Sequence, residues 1–131
     1  MAFDWTDYLQ LARELAKYGT DAGHRSAVSR AYYYVYHLAL SRAESNGFLL
    51  LPGEGTHAQL WRVFKGSPDA NCQYLATIGN RLKAKRALPD YDAAYGRIHE
   101  ETPGLLTDAE TFATLLAKLP PRLPNPASMR Q

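Results

Sequence analysis

Between Gly23 and Gly47 the chain runs without a glycine or a proline: "HRSAVSRAYYYVYHLALSRAESN". Nothing inside the stretch breaks a helix, and Gly47 supplies the residue type that commonly ends one. It predicts a single long helix from about Asp21 or Gly23 to Ser45, and any fold for this chain must be arranged around it. Elsewhere there is no alternating apolar and polar run of useful length, and no internal repeat, so no sheet is expected. The predicted fold class is all-α.

Other helices follow from periodicity and punctuation. Tyr8, Leu11, Ala12 and Leu15 form an apolar stripe on a first helix from about Asp4 to Tyr18, capped by Asp4 or Thr6 and stopped by Gly19. "GFLLLPGEG" reads as a loop carrying a short apolar plug. Thr56 opens a helix to about Phe64, with Leu60, Trp61 and Phe64 inward. After the turn "KGSPD", Asp69 caps a helix to Leu88, where Leu75, Ile78 and Leu82 share a face and Pro89 acts as a breaker. The segment from Tyr91 to Glu101 reads as short helix or loop, and Thr107 caps a last helix to Leu119 through Phe112, Leu115 and Leu116. The expectation is a bundle of four main helices plus a shorter one, a single domain over 1–119. Residues 120–131 carry four prolines and read as a mobile tail.

Composition sets limits. A chain of 131 residues, 46% hydrophobic, suits one globular domain. A net charge of +2 decides nothing about nucleic acid, so only a clustered patch would. One cysteine, Cys72, excludes an intrachain disulfide and a CxxC motif. "MAFDWTDYLQ" lacks the apolar core of a secretory leader. The longest mostly apolar run, Ala31 to Leu40, contains His37 and falls far short of the roughly 20 residues a bilayer needs. A soluble, cytoplasmic protein without a membrane partner is expected. The four histidines, His24, His37, His57 and His99, show no ligand spacing, so neither metal nor cofactor is expected.

On a wheel of the long helix, Arg30 and His37 lie about 20° apart and two turns removed. Tyr34 and Ser41 flank them on one side, Ser26, Tyr33 and Glu44 on the other. Val28, Ala31, Tyr32, Val35, Leu38 and Ala39 occupy the opposite arc, and Tyr36 falls at its margin. The polar row carries tyrosines and a histidine where a solvated face usually carries Lys and Glu, which suggests a partner surface. On the later helix, Arg81 and Lys85 are four apart and form a second basic group, read equally well as a solvated helix end or as phosphate contacts.

At "AVSRAYYYVYHLAL" the sequence resembles the HEPN family of small helical bundles, and "RALPDYD" resembles that family's later R-x-x-x-D-Y segment. The likeness spans about Trp5 to Leu119 and implies a HEPN-like up-and-down bundle. It implies a metal-independent endoribonuclease of toxin–antitoxin or phage-defence type, with Arg30 and His37 catalytic in an Arg-x6-His site. It also implies a homodimer with two such motifs lining one cleft, and a restraining antitoxin such as a nucleotidyltransferase-like protein. Where the family often has Asn, Asp or His directly after the arginine, this chain has Ala31.

The residue types suit that chemistry. RNA carries its own nucleophile, the 2′-hydroxyl. A histidine titrates near neutrality and can serve as acid or base, and an arginine offers a planar fork of donors to a phosphoryl oxygen. Ser26, Tyr33, Tyr34, Arg81 and Lys85 are the expected substrate-binding residues. Two other readings fit the same residues: a non-catalytic HEPN module binding RNA, nucleotide or a partner protein, and a helical oligomerisation subunit.

Overall fold

The structure, a computed structural model, describes residues 4–51, 55–91 and 97–123. Among these it is helical, without strands, in five helices: α1 (Thr6–Lys17), α2 (Asp21–Ser45), α3 (Thr56–Lys65), α4 (Ala70–Tyr91) and α5 (Ile98–Lys118). No helix among the described residues is long and apolar enough to cross a membrane.

Helix ends follow local chemistry. Gly19 and Gly47 adopt positive φ, 69° and 93°, just past the ends of α1 and α2, where a side chain would be strained. Thr20 caps α2 by accepting from the Gly23 amide at 3.0 Å. The Asp69 carboxylate accepts from the amides of Asn71 and Cys72, at 2.9 and 3.0 Å, and so caps α4 as expected.

Two boundaries differ from the sequence reading. Pro89 does not break α4, which continues to Tyr91. A proline there removes only one amide donor from the last turn, where most carbonyls already lack helical partners. Helix α5 begins at Ile98 rather than at Thr107 and contains Pro103. Pro103 leaves one carbonyl, that of the exposed His99, without its ladder donor close to the helix start. Against that small loss, Ile98, Thr102, Leu105, Ala109, Phe112 and Leu116 are all buried, at alternating steps of four and three residues. Thr107 is not a cap: its hydroxyl bonds back to the Pro103 carbonyl inside the helix.

Helix α2 is the hub and touches each of the other four. Its buried residues run around it: Ala27, Val28, Ala31, Tyr32, Tyr34, Val35, Tyr36, Ala39 and Ala43. Trp61, Phe64, Leu75, Ile78, Leu82 and Phe112 complete the core. Gly79 lets α4 lie flush against Trp61, since a Cβ there would come within 2.6 Å of the indole ring. Residues 120–123 dock rather than trail: Asn46 donates to the Pro121 carbonyl, accepts from the Leu123 amide, and Leu123 is buried. The rest of the expected tail, 124–131, lies outside the described residues.

Candidate functional site

Arg30 and His37 sit on α2, and the start of α1 lies over both. Asp4 shapes that start by accepting from the Thr6 amide at 3.0 Å and from the Thr6 hydroxyl, which leaves Trp5 leading into the helix. The Trp5 indole stacks on the His37 imidazole, centroids 3.5 Å apart and planes within 7°. One turn on, the Arg30 guanidinium lies 5.6 Å from the Tyr8 ring centre. Trp5 and Tyr8 meet edge to face at 5.0 Å, so the two cover the pair together. The row that the wheel presents as open is thus half-buried. Arg30 Nε is buried and finds no hydrogen-bond partner among the described residues. Burial holds the His37 pKa below the ordinary histidine value, against the opposing pull of Glu44.

A second histidine belongs to the same cluster. His57, in the first turn of α3, stacks on Tyr36 at 4.0 Å. Tyr36 also meets His37 edge to face at 5.2 Å. The two imidazole centres are therefore no further apart than the sum of these separations. Tyr33 stands between them, 6.4 Å from His37 and 6.3 Å from His57. The Arg86 guanidinium lies 5.5 Å from the ring centres of both Tyr32 and Tyr33. Beneath His57, the Tyr32 hydroxyl meets Nδ1 at 2.6 Å and accepts from Trp61 Nε1 at 3.1 Å. Burial lowers the His57 pKa first, and Arg86, Lys83 and His37 lower it further. Burial pushes the Tyr32 phenol far up, out of reach of ionisation.

Loop and helix contacts hold His57 in place. Gln59, buried in the same turn of α3, clamps the backbone of Leu51 on both sides, accepting from its amide at 2.8 Å and donating to its carbonyl at 3.0 Å. The apolar plug of the preceding loop is Phe48, fully buried.

The expected substrate-binding residues divide. Tyr33 joins the cluster, and Ser26 is half-buried one turn before Arg30. Tyr34 is more deeply buried than the row, at 5% exposed, and after burial the charges that bear on it most are Arg13 and Asp4 of the first helix and its approach, then Glu110. Arg81 and Lys85 form ion pairs with α5, to Asp108 at 2.9 Å and to Glu101 at 2.7 Å. The cations beside His57 are instead Arg86 and Lys83. In the second motif, the side chains of Asp90 and Asp92 lie outside the described residues.

His57, Trp5 and Tyr8 are the residues that sequence reasoning missed. Trp5 and Tyr8 carry a local signal, two large aromatics three apart on one helix face. His57 carries none, because only the docking of α3 brings it to α2. A separate pairing, His24 with His99 at 4.2 Å, joins the starts of α2 and α5, and burial lowers the His24 pKa. A shallow depression along α5, lined by Thr107, Glu110, Thr111, Thr114 and Leu115, shares no residue with the cluster. Among the described residues no three His, Cys, Asp or Glu gather as a ligand set. Compared with protein-family models, curated proteins and solved structures, the chain matches none.

Proposed function

We propose that this protein is a HEPN-type, metal-independent endoribonuclease that works as a homodimer. The observation that carries the reading is the pairing of Arg30 and His37 beneath one aromatic cover, with a second imidazole close by. Arg30 places a permanent cation, with Nε unpartnered, on the same face as an imidazole biased to its neutral form. A neutral His37 can take the proton of a 2′-hydroxyl, and Arg30 can stabilise the charge that gathers on phosphorus oxygens as the bond to the leaving oxygen breaks. The second copy in a dimer supplies another His37 to protonate that oxygen. Trp5, stacked on His37, occupies the plane that an RNA base would take, so substrate entry displaces it. In this reading the protein is a cytoplasmic toxin or defence effector, restrained by an antitoxin such as a nucleotidyltransferase-like protein.

A second reading, a non-catalytic module that binds RNA or nucleotide, is favoured by the same Trp5 cover and by Ala31, which is buried and offers nothing to orient the pair. One experiment separates the two. Purified protein is incubated with single-stranded RNA in chelator, beside Arg30→Ala and His37→Ala. Cleavage by the wild type that both substitutions abolish supports the ribonuclease. RNA binding without cleavage by the wild type supports the binding module and refutes the ribonuclease.

A further inference from the structure

We propose that His57 is a fixed, uncharged hydrogen-bond donor of the same site, locked by Tyr32 and Trp61 as the Nε2–H tautomer, and that its ligand is a phosphoryl oxygen of the RNA backbone. The identity of the ligand rests on the ribonuclease reading, whereas the tautomer rests on hydrogen-bond geometry alone.

The chain of donors has one direction. An indole N–H can only donate, so at 3.1 Å the Tyr32 oxygen is the acceptor of Trp61. Tyr32 is fully buried, and its own proton needs an acceptor. Nδ1 of His57, at 2.6 Å, is that acceptor. With its Nδ1 lone pair engaged, neutral His57 carries its proton on Nε2. The opposite tautomer would turn two donors toward the Tyr32 oxygen and strand the phenolic proton in the core.

The geometry also sets what the outer nitrogen faces. The ring nitrogens of an imidazole diverge, so with Nδ1 turned to the core Nε2 turns away from it. His57 is only half-buried, and Nε2 is neither buried nor hydrogen-bonded among the described residues. The groups around it are Tyr32, Tyr33, Tyr36 and His37 on α2 and Arg86 and Lys83 on α4. The outward Nε2–H needs an acceptor, and in the ribonuclease reading that acceptor is a phosphoryl oxygen of the RNA backbone, whose charge suits the cationic influence of Lys83 on this ring. Protonating His57 would add a positive charge beside two others and would break the Tyr32 bond, so the ring donates without transferring a proton. Proton transfer stays with His37.

The assignment separates two kinds of substitution. Gln can present an N–H where His presents Nε2–H, whereas Leu cannot. The probe is uridine 3′-monophosphate, titrated by calorimetry, with melting curves to confirm that each variant is folded. Expected are binding within about threefold of wild type in His57→Gln and a loss of about tenfold or more in His57→Leu. Long-range imidazole ¹H–¹⁵N spectra of the wild type at pH 8, where the ring is neutral, should show His57 protonated on Nε2 alone. In Tyr32→Phe the two tautomers should mix, and the ring should titrate at higher pH than in wild type. An Nδ1–H tautomer in the wild type would overturn the proposal, as would equal losses in Gln and Leu. An Nε2–H ring with the Gln/Leu split, in a protein that cleaves no RNA, would uphold the donor and refute the ribonuclease.

Discussion

Replacing Trp5 with alanine tests whether the aromatic cover controls His37. Among the described residues the substitution removes the 3.5 Å stack on His37 and the 5.0 Å edge contact with Tyr8. Each is worth about 0.5–1.5 kcal/mol beyond area, so the pair contributes about 2 kcal/mol. For a chain of this size that corresponds to a melting temperature lower by about 7 °C. The second consequence is electrostatic. Burial is the leading cause of the lowered His37 pKa, with Glu44 opposing it, so opening the site should raise the His37 pKa toward the ordinary histidine value. Both effects are read on one sample: a thermal melt by circular dichroism, and the His37 ring proton followed through a pH titration. In the ribonuclease reading, the acid limb of the pH–rate profile should move up with that pKa. A variant that melts within a degree or two of wild type, with an unchanged His37 titration, would refute the claim that Trp5 covers this residue.

Two glycines should respond in opposite directions. Gly79→Ala drives a methyl into the Trp61 ring and should destabilise by about 1–3 kcal/mol, whereas Gly104→Ala, with open space around its Cβ inside α5, should stabilise by about 0.5–1 kcal/mol, both measured by urea denaturation. Asn46→Ala removes the bonds that tie Pro121 and Leu123 to the end of α2. It should cost about 1–2 kcal/mol and release the Leu123 amide, read as faster hydrogen exchange at that position. Burial lowers the pKa values of His24, His37 and His57 below the usual 6.5, so the unfolded chain takes up protons near that pH before the native protein does. The stability these neutral rings contribute is present above about pH 6.5 and lost as pH falls. The melting temperature should drop between pH 7 and pH 5, and a flat or rising profile would contradict the assignment.

How far the sequence carried depends on whether a feature is local. Gly19, Gly47 and Asp69 end or start helices through their own backbone or side-chain chemistry, and each acts where the sequence places it. The start of α5 was hidden because Pro103 and Gly104 mimic a breaker while Thr102 interrupts the apolar stripe. Once folded, the Thr102 hydroxyl donates to the Ile98 carbonyl at 2.6 Å and is buried like its apolar neighbours. In the site, the Arg30–His37 spacing is a property of one helix and was legible. Its cover was not, because Trp5 and Tyr8 reach it only through the packing of α1 on α2. Tyr34 shows the limit of a wheel: its angle placed it beside Arg30, but which sector stays open is decided by the neighbouring helix.

The position of α2 explains why the site is built from rings. Where a neighbouring helix covers α2, a polar group cannot stay solvated and meets a partner from that element. Tyr32 meets His57 and Trp61, His37 meets Trp5, and Arg30 meets Tyr8. The first of these exchanges is complete at the Tyr32 hydroxyl, which accepts from Trp61 and donates to His57. The Arg30 exchange is not, since a ring face offers no acceptor in the plane of the guanidinium and Nε remains unpaired. Burying a cation that incompletely costs stability relative to an apolar residue of similar size. Where local rules are broken without a gain within the fold, the compensation commonly comes from a ligand. In the ribonuclease reading, the ligand that supplies the missing acceptor and the opposite charge together is a phosphodiester of the RNA backbone.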